Sequence, residues 1–112
     1  MNLVTGAAGH LGNVLVRELL ARGEKVRALI LPGEDTQSLE GLPIERVEGN
    51  VLAMDSLRAA MRDVDVVFHL AALVSITEEK SHLLQAVNVD GTRNVIGAAK
   101  EARVGKLVYT SS

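Results

Sequence analysis

The sequence predicts an α/β protein built on a doubly wound parallel sheet, with five strands in the order 3-2-1-4-5. Short runs rich in Val, Leu and Ile alternate with Ala-rich helical stretches along all 112 residues. A turn with three glycines joins the first strand directly to the first helix. Residues 64–70 are apolar apart from Asp65 and His69, as in a central strand covered by helices on both faces.

The predicted elements alternate in a simple order. Strands are expected at residues 3–5, 25–31, 44–48, 64–70 and 106–110. Helices are expected from the glycine turn to about residue 22, at 55–61 and at 82–102, and the polar stretch 34–43 is a loop with one helical turn. Because the chain stops directly after the fifth strand, we expect residues 1–112 to be one domain, truncated at that point, and the N-terminal portion of a longer fold.

Each predicted helix has an apolar face at helical spacing. The residues expected to be buried in the first helix, which ends at Gly23, are Leu11, Val14, Leu15, Leu19 and Leu20. The short helix begins at the N-cap Asp55, and the residues that it buries are Leu57, Ala60 and Met61. Those expected to be buried in the last helix are Leu84, Val87, Val95, Ile96 and Ala99.

Composition argues against several classes of partner. The net charge is −2 and the only aromatic residues are Phe68 and Tyr109, so neither nucleic acid nor an anionic membrane is expected. The absence of cysteine excludes disulfides and thiolate metal sites, and it is typical of a cytoplasmic protein. No pair of histidines or carboxylates has metal-ligand spacing, so no metal is predicted.

The glycine turn carries the clearest functional signal. Gly6, Gly9 and Gly12 follow a strand and open an amphipathic helix, the context in which such a motif binds a dinucleotide pyrophosphate. Glycine permits positive φ and close backbone approach, while the N–H groups and dipole at the helix start attract phosphate. No Lys-Ser or Lys-Thr pair follows, which excludes a P-loop. We therefore predict a Rossmann-type domain that binds NAD or NADP; the alternative is that the glycines only make a tight connection.

Four segments resemble the extended short-chain dehydrogenases/reductases, in the order found in that family. They are residues 4–12 (VTGAAGHLG), 68–72 (FHLAA), 88–92 (NVDGT) and 108–112 (VYTSS). The family includes nucleotide-sugar epimerases and dehydratases, dihydroflavonol reductases and 3β-hydroxysteroid dehydrogenases. The resemblance implies an oxidoreductase that transfers hydride between NAD(P) and a secondary alcohol or ketone of nucleotide-sugar, dihydroflavonol or steroid type. It also suggests a homodimer formed through the helix at 82–102.

The resemblance implies that Gly6, Gly9 and Gly12 hold the pyrophosphate together with the amides of His10 and Leu11. The His10 side chain is expected to fill the turn, with a phosphate contact as the alternative.

Other matching positions are expected further along the dinucleotide. Asn50 and Val51 follow the third strand, where the family commonly has Asp-Val or Asp-Ile in contact with adenine. Ala71 and Ala72 would line the cofactor at the nicotinamide ribose. Asn88, which we group with the cofactor-binding residues, would help to organise the active-site region.

The choice between NAD and NADP is open at this stage. Ile30 and Leu31 stand where relatives carry an acidic residue for the ribose or an Arg for the 2′-phosphate. Glu34 and Asp35 lie beyond the expected position, and Arg27, inside the strand, is a candidate for a 2′-phosphate contact.

Ser112 is the candidate catalytic serine that hydrogen-bonds the substrate oxygen, with Ser111 as the second choice. The family's Tyr-x-x-x-Lys motif is absent, since the one tyrosine, Tyr109, lies in a predicted strand. Without that acid–base pair, we expect the 112 residues alone to be inactive. The alternative function is a non-catalytic NAD(P)-binding module that senses redox state, and His69 is expected to be a core or supporting residue.

Overall fold

The computed structural model describes the backbone of residues 1–71 and 78–111 and the side chains of residues 1–70 and 89–110. In chain order the elements are β1 (Asn2–Thr5), α1 (His10–Ala21), β2 (Val26–Ile30), β3 (Glu45–Glu48), α2 (Met54–Ala60), β4 (Val66–Ala71), α3 (Glu78–Glu101) and β5 (Lys106–Ser111). A single 3₁₀ turn, Gln37–Leu39, lies in the loop between β2 and β3, where one helical turn was predicted.

The five strands form one parallel sheet in the order β3-β2-β1-β4-β5, which confirms the predicted fold. Their carboxyl ends therefore meet along one edge of the sheet. At that edge Thr5, the last residue of β1, is in register with Leu29 on one side and His69 on the other. In a doubly wound sheet, ligands bind beyond this edge.

The core has two layers because successive residues of each strand point to opposite faces. Leu3 contributes to the face packed against α2 and α3, and Val4 to the face packed against α1. Both side chains are fully buried. The aliphatic residues of the sheet thus hold helices on both sides of β1 and β4, as the apolar run at 64–70 predicted.

The predicted buried face of α1 was partly wrong. Leu11 and Val14 are 50% and 54% exposed, whereas Gly12, Val16 and Leu19 are buried. The reason is that α1 starts within the glycine turn and must place Gly12 against the turn's backbone. That contact sets the rotation of the helix and turns Leu11 and Val14 toward solvent.

The start of α2 also differs from the prediction. Its N-cap is Ala53, with no side-chain cap, and Asp55 lies in the first turn, 2.9 Å from Arg58 in an ion pair. A carboxylate in the first turn still interacts favourably with the helix dipole. Leu57 and Ala60 are buried as predicted, and so is Met61.

The last helix begins at Glu78, one turn earlier than predicted. Acidic residues suit a first helical turn, and Glu78 and Glu79 begin this helix. Val95 and Ala99 are buried as predicted and Ile96 is half-buried, while the side chains of Leu84 and Val87 lie outside the described residues.

Among the described residues, no helix is both long and apolar enough to cross a membrane. The same residues contain no group of three His, Asp or Glu side chains arranged to hold a metal ion.

Candidate functional site

The outer two glycines of the turn are required by packing. Gly6 has a φ of +71°, and a Cβ added to it would lie 2.6 Å from the carbonyl oxygen of Leu70. A Cβ on Gly12 would overlap the carbonyl oxygen of Gly6 and would lie 2.7 Å from the Cα of Ala7. The turn can therefore close against β4, and α1 can close against the turn, only if neither residue has a side chain.

The middle glycine has no such constraint. Gly9 is the N-cap of α1, with a φ of −73° that any residue adopts. The nearest atom to a Cβ built on it is the carbonyl oxygen of Gly6, at an ordinary contact distance of 3.4 Å. Packing therefore does not require glycine at position 9, and its absence of a side chain leaves exposed space over the backbone. Such space is expected where a ligand must approach the backbone.

The first turn of α1 presents free donors beside this space. Gly9 has no side chain to cap the helix, and the first turn contains no acidic residue. Within the described part of the chain, the amide N–H groups of His10, Leu11 and Gly12 have no hydrogen-bond acceptor. These donors and the positive end of the helix dipole suit an anion such as a pyrophosphate.

The loop after β3 is held between two helices. The Asn50 amide donates to Ser56 Oγ over 3.0 Å, and Asn50 Oδ1 accepts from the Leu52 amide over 2.8 Å. The Val51 carbonyl accepts from Asn94 Nδ2 of α3 over 3.0 Å. These contacts fix the predicted adenine-contact residues, Asn50 and Val51, at the carboxyl edge of the sheet.

A buried polar chain lies directly behind the glycine turn. Thr5 Oγ1 is 2.6 Å from His69 Nδ1 and accepts the Leu70 amide over 3.2 Å. On the other side of the ring, His69 Nε2 is 3.0 Å from Thr92 Oγ1 in α3. The His69 ring also stacks on Tyr109 of β5, with ring centroids 5.7 Å apart. One side chain thus contacts β1, α3 and β5.

Burial of His69 favours its neutral form. It is 5% exposed, and burial lowers its pKa from the ordinary value of 6.5 because the protonated ring would lose solvation. A neutral ring has one donor and one acceptor nitrogen. We assign the proton to Nε2, facing Thr92, since the Thr5 hydroxyl proton has no other acceptor among the described residues and can donate to Nδ1.

Sequence reasoning placed His69 in the core and missed both threonines. The only sequence signal for Thr92 is its place in the NVDGT segment. The only signal for Thr5 is that it is a polar residue at the end of a predicted strand. Their proximity to His69 depends on the strand register and on the seating of α3, which no local pattern specifies.

The remaining predicted residues are described in part or not at all. Ala71 and Ser111 are in register as the last residues of β4 and β5, and Asn88 lies in α3 one turn before Thr92, but the side chains of all three lie outside the described residues. Ala72 and Ser112 lie outside them entirely.

The interpretation of Arg27 as a candidate 2′-phosphate contact is wrong, because its guanidinium is engaged within the fold. Its Nη1 donates to the carbonyls of Ala60 and Arg62, over 2.7 Å in each case. Its Nε lies 3.1 Å from a Glu45 carboxylate oxygen, an ion pair without hydrogen-bond geometry, and its side chain is only 11% exposed. The residue ties β2 to β3 and to the end of α2.

Comparison with known proteins gives consistent matches. The model of the 3-beta hydroxysteroid dehydrogenase/isomerase family matches residues 3–112. The chain is 49% identical over 110 residues to sterol demethylase protein B of Methylococcus capsulatus, and 39% identical over 109 residues to a putative dihydroflavonol 4-reductase of Synechocystis sp.. These alignments cover 98% and 97% of this chain but 34% and 32% of the relatives, so the chain spans about a third of their length.

A solved structure matches the fold and carries a cofactor. It is a short-chain dehydrogenase/reductase superfamily protein from Agrobacterium tumefaciens with bound NAD. The TM-score is 0.82 at 35% identity, and the match covers 100% of this chain and 32% of the other.

Proposed function

Because this chain belongs to the 3-beta hydroxysteroid dehydrogenase/isomerase family, within the extended short-chain dehydrogenases/reductases, we propose that residues 1–112 are the dinucleotide-binding domain of an NAD(P)-dependent oxidoreductase. The reaction is hydride transfer between NAD(P) and a secondary alcohol or ketone. The observation that carries the proposal is the open space over Gly9. It is bordered by three amides that have no acceptor among the described residues, in a turn where packing already demands the other two glycines.

In this proposal the turn holds the pyrophosphate through backbone groups. Gly9 lets the phosphates approach the chain, and the amides of His10 and Leu11 donate to their oxygens. Gly6 and Gly12 keep the turn closed so that these amides stay in place.

The rest of the carboxyl edge would receive the two ends of the cofactor. Asn50 and Val51 border the adenine, Ala71 and Ala72 border the nicotinamide ribose, and Asn88 organises the active-site region from α3. The nicotinamide supplies or accepts the hydride, and these residues position it.

Ser112 would donate a hydrogen bond to the substrate oxygen, with Ser111 as the second choice. Proton transfer to that oxygen needs an acid, and the 112 residues contain no Tyr-x-x-x-Lys sequence. The one tyrosine, Tyr109, stacks on His69 in β5. We therefore propose that these residues bind the dinucleotide and do not turn it over by themselves.

The matching family and relatives support an alcohol or ketone of the steroid or dihydroflavonol class as substrate, and a nucleotide sugar is the alternative. The non-catalytic alternative is not favoured, because most of the matched relatives are named for enzymes. The absence of cysteine supports a cytoplasmic location.

The test is a titration of the protein with NADH and NADPH, followed by cofactor fluorescence, together with an assay of NAD(P)H oxidation by steroid and dihydroflavonol ketones. We expect saturable binding without oxidation by the 112 residues. Absence of binding to either cofactor would overturn the proposal, and oxidation by these residues alone would show that another group supplies the proton.

A further inference from the structure

A side chain continues the contact of β1 with β4 past the last paired residues, Thr5 and His69. Thr5 Oγ1 accepts the Leu70 amide over 3.2 Å. Gly6 follows Thr5 directly, and the Leu70 carbonyl oxygen is the nearest atom to a Cβ built on Gly6. The Thr5 hydroxyl therefore holds the start of the glycine turn against the end of β4, the contact that positions the turn.

The direction of the Thr5 hydrogen bond depends on the far side of the His69 ring. Thr5 Oγ1 lies 2.6 Å from Nδ1, so with the ring proton on Nε2 the hydroxyl donates to Nδ1 while it accepts the Leu70 amide. Nε2 lies 3.0 Å from Thr92 Oγ1, which can accept the ring proton. Because a neutral ring has one donor nitrogen, Thr92 favours the tautomer in which Nδ1 accepts from Thr5.

Loss of the Thr92 hydroxyl would disturb this arrangement with either tautomer. With the proton on Nε2, the ring donor has no acceptor among the described residues. With the proton on Nδ1, the ring donates to Thr5 Oγ1, and the Thr5 hydroxyl proton is left without an acceptor at a residue that is only 3% exposed. A buried donor without a partner is unfavourable, so the contact that holds the turn should weaken.

We propose that Thr92 is a positioning residue for dinucleotide binding, acting on the glycine turn through His69 and Thr5. The inference rests on the proposed dinucleotide function. Thr92 lines a cavity between α3 and β5 to which no residue of the glycine turn contributes, so its effect on the pyrophosphate passes through the ring. The pyrophosphate is common to NAD and NADP, and the effect should be the same for both.

The experiment measures the Kd of NAD and of NADP, by calorimetry, for the wild type, Thr92→Val and Thr92→Ser at a temperature where each is folded. Valine keeps the shape of threonine without the hydroxyl, and serine keeps the hydroxyl. We expect Thr92→Val to weaken binding of each dinucleotide that the wild type binds about tenfold, and Thr92→Ser to stay within about twofold of the wild type. Wild-type affinity in a folded Thr92→Val variant would overturn the inference.

Val95→Ala separates positioning from a general loss of stability. Val95 is fully buried in α3, one turn beyond Thr92, and packs in the same core cluster as Leu3 and Val67. A cavity there should lower the melting temperature at least as far as Thr92→Val does, yet leave the affinity within about twofold of the wild type. If Val95→Ala weakens dinucleotide binding as much as Thr92→Val, the effect is one of stability and the inference fails.

The double variant Thr5→Val/Thr92→Val tests whether the two hydroxyls act through one ring. Because either substitution breaks the same chain of hydrogen bonds, the double variant should bind no more than about twofold more weakly than the weaker single variant. Independent effects would multiply, and a multiplied loss would contradict the inference.

The tautomer of His69 gives a measurement that requires no variant to fold. In the nitrogen NMR spectrum of the wild type, the ring should have the shifts of a protonated Nε2 and an unprotonated Nδ1. A protonated Nδ1 in a neutral ring would overturn the inference while leaving the proposed function intact. A folded wild type that binds neither NAD nor NADP would overturn the proposed function and this inference with it.

Discussion

Thr5 Oγ1 lies 2.6 Å from Nδ1 of His69, in register across the pairing of β1 with β4. Thr5 directly precedes Gly6, and Thr92 of α3 lies on the far side of the same imidazole. The His69 ring thus joins the end of β1, which leads into the glycine turn, to α3. The Thr5–His69 contact is buried and the His69–Thr92 contact is partly buried, so both form in a lowered dielectric, where a missing partner is costly.

The buried histidine predicts a loss of stability in mild acid. The pKa of His69 is lowered in the folded protein, so the unfolded chain binds a proton that the native ring excludes. The contribution of His69 to the free energy of unfolding should therefore be fully present above its ordinary pKa of 6.5 and be lost as the pH falls below that value. Melting temperatures across this range, compared with those of His69→Gln, measure the effect. The quantity to compare is the slope of melting temperature against pH and not the absolute melting temperature. Equal slopes in the two proteins would contradict a lowered pKa of His69.

The Thr5 hydroxyl should contribute measurably to stability. In Thr5→Val the shape is kept, but His69 Nδ1 loses its partner and the Leu70 amide loses its acceptor. We expect urea unfolding to show a loss of about 1–3 kcal/mol. Thr36→Val is the matched control, because Thr36 caps the 3₁₀ turn without a side-chain hydrogen bond, and it should change stability by less than about 0.5 kcal/mol. Equal effects of the two substitutions would show that the buried chain adds nothing.

Replacing Gly12 should lower the stability of the fold. An added Cβ meets the backbone of Gly6 and Ala7, which cannot move aside as a flexible side chain can. We expect Gly12→Ala to lower the free energy of unfolding by about 1–3 kcal/mol or more. Gly97→Ala, in α3, is the control: the nearest atom to its Cβ is the flexible Met54 Cε at 3.9 Å, and the substitution should be neutral or stabilising by up to about 1 kcal/mol. A Gly12→Ala variant as stable as the wild type would show that the turn can relax.

The sheet order could be predicted because it depends on features that recur along the chain. Strand runs and helical runs alternate, and right-handed crossovers leave few arrangements for five such strands. The rotation of α1 could not be predicted, because it depends on the contact of Gly12 with the Gly6 carbonyl and not on where apolar residues fall in the helix.

The sequence predicted only part of the candidate site, as it predicted only part of the fold. The glycine turn is a local motif, so sequence was enough to locate it. Glu34 lies close to the end of β2 because its own Oε1 accepts the Leu31 amide. Its distance along the sequence did not predict this contact. The engagement of Arg27 by carbonyls of Ala60 and Arg62 depends on how α2 packs on the sheet, which no pattern near Arg27 reveals.

The most direct test of the central claim, that the glycine turn binds a dinucleotide, is the affinity of Gly9→Val for NADH. Because a Cβ fits at Gly9 and its φ is ordinary, the variant should still fold, with a loss of about 1 kcal/mol from the poorer helix N-cap. Its side chain would fill the space proposed for the phosphates, so NADH affinity should fall at least about 100-fold, while Gly97→Ala binds as the wild type does. A folded Gly9→Val variant with wild-type affinity would contradict the account.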